Sequence, residues 1–538
     1  MRPSLLDDTA IQAYLDQGYW SRQTMAGRYD SYAQSHPDRV ACRDARNTLT
    51  WAELKAVTDR LAAHFIGLGI ARDARAMVQM ASSCREVVLR IAFKKAGIIG
   101  AFVPLQWRRK ELDYVMARIT PAIVVLAPDS MDADDTAWLE TALAVPAGPG
   151  HRINPGEDRC KGWQSWEDVT SAPAKDGAAA QIPARRFKFD EVSVITTSSG
   201  TSGLAKLCEW PEAAQICVGR GIGQRLGVTA GDNVGVFSPL SGAAGVLVWS
   251  VSGAIPCTFT FPDSYRAPAL LELAAREHVT VATTVPVILA RLAQEDPTGF
   301  DLGALRVLRV GTAAADTQAA KTFEDATSCQ VVVASGSMEC PGFGHADANE
   351  AADVRLNGSV GLPLPSCRLR IADDAGTDVP VGTVGEVHVS AAFAASGYWR
   401  DPGLSAAAWT GGWYATGDMG HLDSAGRLWL FGRAKEIINR SGHKILPAEV
   451  EQEIARHPDV FECAVVKAPD PDYGEVPWAF VQARPGAAMD TAALVGILKD
   501  SGMATYKIPV RFVEVTVFPR VAGNKIDKKL LLEMAPPK

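Results

Sequence analysis

Between Thr196 and Lys206 the chain reads Thr-Thr-Ser-Ser-Gly-Thr-Ser-Gly-Leu-Ala-Lys. Small residues let a backbone approach an anion closely, and successive N–H groups with Ser and Thr hydroxyls can wrap phosphate oxygens. Lys206 adds a point charge to that cradle. The spacing Gly200-x-x-Gly203-x-x-Lys206 is not the G-x-x-x-x-G-K-[ST] of a Walker loop. A Ser/Gly surface loop has the same composition, so other segments must decide. Trp413-Tyr-Ala-Thr-Gly-Asp418 ends in an acid placed to bind a pair of hydroxyls. Gly432 to Glu451 carries Arg433, Lys435, Gly442 and Lys444 at defined offsets, and Pro519 to Asp527 places Lys525 in a Gly-flanked turn.

The elements that hold these residues belong to a chain of 538 residues, long enough for at least two folding units. Hydrophobic residues make up 47% and charged residues 21%, the balance of a chain that can bury large cores. The net charge of −7 argues against a sequence-independent nucleic-acid binder, which needs a basic footprint. Ten cysteines show no CxxC pair and no histidine at zinc-ligand spacing, so reduced thiols in a reducing, cytoplasmic compartment are expected. The N-terminus has acids where a signal peptide needs its apolar stretch. Asn233 to Pro262 is uncharged, but its prolines and glycines read as strand, loop, buried helix and second strand rather than a membrane span.

From Asn47 strands and helices alternate. Val57, Leu61, Phe65 and Leu68 recur at helical spacing, Ala76–Met80 is a short buried strand, Arg85–Ala96 is a helix and Ile98–Val103 a strand. The rhythm lapses over 129–188, where Ala172–Ala180 reads as a surface excursion or linker, and returns at Val192–Thr197, Val279–Ala293, Val307–Val310 and Gln330–Ala334. Such alternation implies a mostly parallel sheet covered by helices. After Gly361, Cys367–Ala372, Gly385–Ser390 and Arg427–Phe431 read as antiparallel strands between turns. From Glu436 follow a helix (448–456), two strands (462–468 and 479–483) and another helix (491–501). The expected fold is α/β: a large N-terminal domain of mixed sheets covered by helices over 1–432, and a small α+β C-terminal lid domain over 433–538.

In order and spacing the four segments resemble the core motifs of the adenylate-forming, AMP-binding superfamily: acyl-CoA synthetases, adenylation domains of peptide synthetases and beetle luciferases. The resemblance spans nearly the whole chain. Within the superfamily the chain is most similar to stand-alone aryl-acid ligases of the 2,3-dihydroxybenzoate–AMP ligase type, through Tyr19-Trp20 followed by Thr24, the Leu-Ala-Lys-Leu end of the phosphate loop, and Gly-Arg-Ala-Lys-Glu-Ile-Ile-Asn-Arg.

That resemblance implies a two-step reaction: a carboxylate attacks the α-phosphate of ATP, pyrophosphate leaves, and a thiol attacks the acyl-adenylate. Two anions must meet, so positive charge and a divalent metal, Mg2+, are needed near the phosphates. By resemblance Ser198, Ser199, Gly200, Thr201, Ser202, Gly203 and Lys206 hold the β- and γ-phosphates, Thr201 and Lys206 acting in catalysis. Glu339, in Gly336-Ser-Met-Glu339, matches the magnesium-associated glutamate. Gly311, Thr312, Ala313, Ser335 and Gly336 would line the nucleotide. Asp418 would accept from the ribose hydroxyls, supported by Arg433, and Lys525 would bridge the carboxylate and α-phosphate oxygens. Lys435 matches the hinge about which the mobile C-terminal domain reorients, after which Ser441, Gly442, His443 and Lys444 would line the pantetheine tunnel.

The chain departs from the family pattern at several positions. Ala205 replaces a usual proline, Met338 a threonine, and Ser335 the aromatic that stacks on adenine. Gly242 stands where a gating histidine often sits, and Phe237 where the siderophore enzymes read a 2-hydroxyl with asparagine. An acyl pocket drawn from Phe237, Ser238, Ser241, Gly242, Gly311, Ser337 and Phe343 is uncharged, which penalises a second ionised group. The expected substrate is therefore a neutral-bodied aromatic or alicyclic monocarboxylic acid other than salicylate or 2,3-dihydroxybenzoate, and sulfated, dicarboxylic or amino-acid substrates would count against it. The acceptor is the thiol of CoA or, alternatively, the phosphopantetheine arm of a carrier protein. A third reading is a non-catalytic binder of acyl-adenylates or nucleotides. The chain would act as a monomer or homodimer, with no nucleic acid and no membrane span.

Overall fold

The Thr50-Trp-Ala-Glu53 sequence closes a reciprocal capping box, in which the Thr50 hydroxyl accepts from the Glu53 N–H and the Glu53 carboxylate from the Thr50 N–H. The helix it starts, Trp51–Gly67, is the first expected from hydrophobic spacing, and its buried face carries Leu54, Leu61, Phe65 and Ile66. In the computed structural model strands follow at Arg75–Gln79, Ile99–Phe102, Val192–Ser198, Val307–Val310 and Gln330–Ser335, each within a residue or two of the expected range. The structure describes residues 3–127, 138–139, 150–156, 160–173, 175–198, 205–311, 317–521 and 525–535, with backbone only at Val521 and Lys525.

The chain divides into two compact units, Met1–Arg368 with Val389–Tyr414, and Leu369–His388 with Ala415–Lys538. The first unit holds two large sheets among the described residues. One has the order Gly344–His345, Gln330–Ser335, Val307–Val310, Val281–Thr284, Asn233–Val236, Thr258–Thr260, Val40–Arg43, Thr48–Thr50, parallel except for the outermost pair at each end. The other has seven strands and is parallel until its last pair, Val192–Ser198 with Lys206–Pro211, which is antiparallel. Buried on both faces, these strands are continuous apolar runs rather than alternating ones. The uncharged run from Asn233 forms strand Asn233–Val236, helix Ala243–Trp249 and strand Thr258–Thr260. No described helix is long and apolar enough to cross a membrane.

One expectation is corrected. Ala172–Ala180, read as linker, enters a helix at Ala178 that runs to Arg185 and buries Ala178 and Ile182. Gly177, at φ 75°, supplies the left-handed turn before it. The alanines that made the segment look featureless are the strongest helix formers, and packing against helices Trp51–Gly67 and Cys84–Ala96 completes the element.

Charged residues on helix Cys84–Ala96 are buried because partners meet them. Lys94 donates to Glu212, Ser193 and Gln215, and the second Glu212 oxygen accepts from the Met25 N–H. Burial pushes the Lys94 ammonium down and Glu212 pulls it back up. Lys94→Ala would strand the Glu212 carboxylate, completely buried, without its cation. We expect a loss of about 3–5 kcal/mol in stability, read as a lower denaturant midpoint; a shift of under about 0.5 kcal/mol would show that the network contributes nothing.

The second unit has a sheet of Ile438–Arg440, His443–Ile445, Val460–Asp470, Gly474–Ala483 and Arg511–Glu514, with helices Pro447–Ile454 and Thr491–Asp500. One core cluster joins Ile438, Ile445, Val450, Ile454, Val465, Val481, Leu494 and Leu498. None of the ten cysteines forms a disulfide, and seven are buried.

Candidate active site

In the first unit the phosphate-loop candidate connects two antiparallel strands whose register pairs Ser198 with Lys206. A hairpin therefore fixes both ends of the loop, while Ser199, Gly200, Thr201, Ser202 and Gly203 themselves lie outside the described residues. The segment after Ser396 runs beside the outer strand: Ser396 N donates to Glu209 O, Glu209 N to Gly397 O and Trp399 N to Leu207 O. That added ladder brings Tyr398 under Lys206. The Lys206 ammonium lies 3.2 Å from the Tyr398 hydroxyl and 5.0 Å from its ring centroid.

The Tyr398 hydroxyl donates to Glu339 Oε1 at 3.0 Å, and the same oxygen is 3.9 Å from Lys206 Nζ. Burial first, and then the Glu339 charge, push the Tyr398 phenol far above its ordinary value, so it stays a donor. Glu339 is 4% exposed. Its loop is pinned from both sides, Trp210 Nε1 donating to Met338 O and Ala395 N to Glu339 O. The constellation is a carboxylate that accepts from one neutral donor and is ion-paired with one cation, at the end of a strand hairpin. Among the described residues no group of three His, Cys, Asp or Glu side chains could hold a metal. A lone buried carboxylate fits Mg2+, which takes one or two protein carboxylates and otherwise phosphate oxygens and water. Glu339 would be that ligand, and the ion would neutralise developing phosphate charge.

The remaining candidates of this unit are spread along strand ends. Gly311 is buried at the end of Val307–Val310, and Thr312 and Ala313 lie outside the described residues. Ser335 ends the next strand. Gly336 permits a tight turn, since a Cβ there would sit 2.4 Å from Gly342 N, and Ser337 caps it by receiving the Cys340 N–H. Ser238 is buried while Ser241 and Gly242 are half-buried. Phe237 packs into the core with Leu270, Leu289 and Val310, and Phe343 is fully buried.

In the second unit Asp418 and Arg433 are cross-strand neighbours. Arg433 Nε lies 2.8 Å from Asp418 Oδ1, and Arg433 Nη1 donates to Thr416 O at 2.9 Å. Gly417, at φ 73°, bends the strand so that its N–H meets Glu386. Lys435 is exposed in the turn Ala434–Glu436. Ser441 and Gly442, at φ 48° and 89°, form the two-residue turn of a hairpin, the conformation such turns favour. His443 stacks on Tyr506 at 4.7 Å, and Lys444 is paired with Asp374 at 2.9 Å. The backbone of Lys525 pairs with Val521 in a short antiparallel ladder.

Sequence reasoning missed Tyr398, Arg309 and His345. Arg309 carries a signal, a single charge in the otherwise apolar strand Val-Leu-Arg-Val310. Tyr398 carries none, because its partners are distant in sequence.

An α/β unit with a Lys–Tyr–Glu cluster at the end of a strand hairpin, and a smaller unit bearing an Asp–Arg pair, belongs to one class. Residues 29–399 match the AMP-binding enzyme family and residues 449–525 the AMP-binding enzyme C-terminal domain. The chain belongs to the AMP-binding enzymes, the adenylate-forming class of carboxylic acid ligases that its motifs resemble. It is 30% identical to triostin synthetase I of Streptomyces triostinicus, across 98% of this chain and 97% of that protein. It is 28% identical to a 2-hydroxy-7-methoxy-5-methyl-1-naphthoate–CoA ligase of Streptomyces carzinostaticus, across 98% and 95%. The crystal structure of the anthranilate CoA ligase AuaEII shares its fold, with a TM-score of 0.85, 23% identity and coverage of 95% and 97%.

Proposed function

We propose that this chain activates an aromatic or alicyclic carboxylic acid with ATP and transfers the acyl group to the thiol of CoA. A carboxylate oxygen bonds to the α-phosphorus as the bond to pyrophosphate breaks. The thiol sulfur then bonds to the acyl carbon as AMP leaves. The observation that carries the reading is the Lys206–Tyr398–Glu339 cluster at the ends of the phosphate-loop hairpin. Lys206 meets phosphate charge, Glu339 holds the metal, Asp418 takes the ribose hydroxyls with Arg433 as its support, and Lys525 joins the two reacting anions. We propose two domains, 1–432 and a mobile 433–538, hinged near Lys435, with Ser441, Gly442 and Lys444 beside the pantetheine arm. The naphthoate–CoA ligase relative supports both the aryl acid and the CoA acceptor.

A carrier-protein arm is the second reading. CoA needs basic residues for its 3′-phosphate, yet Lys444 is held by Asp374 and Lys507 by both Glu449 oxygens at 2.6 and 2.7 Å. The test is AMP and pyrophosphate release across aryl, heteroaryl and alicyclic acids, with and without CoA. CoA-dependent turnover with a thioester detected by mass is expected. Pyrophosphate release that CoA does not accelerate would favour the carrier protein, and silence with ATP still bound would favour a non-catalytic binder.

A further inference from the structure

Register and burial place beside Gly311 a cation that meets no carboxylate among the described residues. Arg309 pairs with Thr283 on one neighbouring strand and with Val332 on the other, and Ala334 pairs with His345 beyond. Residues paired across strands, or two apart along one, share a face. Thr283, Arg309, Ala334 and His345 therefore lie on one face. Ala282, Leu308, Val310 and Val331 lie on the other, packed in the core with Phe237.

Arg309 is 2% exposed, and no carboxylate among the described residues comes within ion-pair distance. Its Nε–H donates to His345 Nε2 at 3.2 Å, and Nη1 reaches the Thr283 hydroxyl at 3.4 Å. His345 Nδ1 lies 2.7 Å from Ala346 O, which fixes the tautomer that accepts from arginine. Burial, and then the Arg309 charge, bring the His345 imidazole down to about 3, so it is neutral and contributes no repulsion. Burial brings the guanidinium down only to about 10, leaving it charged at neutral pH.

Both η nitrogens, Nη1 also within reach of Thr283, lie beside Gly311. A Cβ on that residue would lie 3.1 Å from Nη1 and 3.4 Å from Nη2, so any side chain there would crowd the guanidinium and glycine does not. A buried charge that no described carboxylate neutralises is costly, and a guanidinium's paired donors match a carboxylate or sulfonate. Ligands of parallel α/β sheets sit beyond the carboxyl ends of strands, where Gly311 stands.

We propose that Arg309, held by His345 and Thr283, is a specificity-determining residue that takes a second anionic group, a carboxylate, sulfonate or phenolate, on the acid substrate. The inference rests on the acid-ligase reading, with Gly311 in the acyl pocket, and replaces the neutral-bodied acid expected from sequence alone. The test compares benzenedicarboxylates and sulfobenzoates with their monoamide and sulfonamide isosteres, by calorimetric binding and by pyrophosphate release, in wild type and Arg309→Gln. Wild type should bind at least one anionic regioisomer about 100-fold more tightly than its amide, and Arg309→Gln should collapse that ratio to under about threefold. If Arg309→Gln does not fold, the wild-type ratio alone decides. Wild-type ratios near one for every isomer, or a ratio that survives Arg309→Gln, overturn the proposal. A binding ratio of the expected size without pyrophosphate release leaves Arg309 in its role and overturns the ligase reading instead.

Discussion

Replacing Lys525 by alanine should slow acyl-adenylate formation by about 10²–10³-fold while thiolysis of supplied acyl-adenylate changes by less than about tenfold. The first step joins two anions, so a cation at the bond-forming oxygens is worth most there. An ammonium suits the task because its three donors can follow charge as it moves. Thiolysis starts from an acyl-adenylate whose carboxylate charge is already gone. The neighbourhood offers a control. The Lys525 backbone lies in a two-strand ladder, and Asp527 caps the helix that follows by accepting from Lys529 N and Leu530 N. Lys528 at the start of that helix bridges Glu436 at 2.8 Å and Glu451 at 2.9 Å. Burial opposes the Lys528 charge, but Glu451 and Glu436 outweigh it and raise its pKa. Lys528→Ala should therefore lower the stability of the C-terminal unit and weaken both half-reactions alike. Quenched single-turnover assays with radiolabelled ATP, run beside thiolysis of synthetic adenylate, separate the two. Equal losses in both steps for Lys525→Ala would sink its assignment.

Glu339→Gln should cut pyrophosphate release by about 10²–10³-fold and raise the Mg2+ concentration needed for half-maximal rate. The substitution keeps the volume and a hydrogen-bond acceptor for Tyr398 while deleting the charge. Tyr398→Phe removes the 3.0 Å donor and leaves the carboxylate with Lys206 at 3.9 Å. Losing one hydrogen bond to a charged group corresponds to about 1.5–3 kcal/mol, so a fall of about 10- to 100-fold is expected. Rate against free Mg2+ distinguishes the two effects: Glu339→Gln shifts the curve, while Tyr398→Phe mainly lowers its plateau. An unchanged metal dependence in Glu339→Gln would remove Glu339 as the ligand.

Much of this protein was legible in one dimension because its signals are local. Strands of the parallel sheets announce themselves as apolar runs, since a strand buried on both faces has no polar side to show. Helix Trp51–Gly67 carries its own start signal in Thr50 and Glu53. The loop from Thr196 to Lys206 stood out as a candidate because a phosphate cradle needs contiguous small and hydroxyl residues. Asp418 was expected to be supported by Arg433, and their cross-strand pairing gives that association a geometry.

Local signals failed where neighbours decide the outcome. The Ala172–Ala180 stretch was ambiguous because alanine suits both a featureless segment and a helix, and helices on either side of it in the fold settled the matter. Phe237 was placed in the acyl pocket by its position along the chain, yet its ring joins the helix-side core. Which face of a strand a side chain occupies depends on register, and a shift of one residue reverses it.

The sequence by itself determined the family, the class of chemistry and the order of the motifs, because each depends on residue type at short spacing. Only the tertiary structure decided that Tyr398 joins Lys206 to Glu339 across separations of 192 and 59 residues. It alone set Arg309 beside Gly311 with His345 as its neutral support. A buried charge acquires meaning from what fails to neutralise it, and that is a property of three-dimensional surroundings.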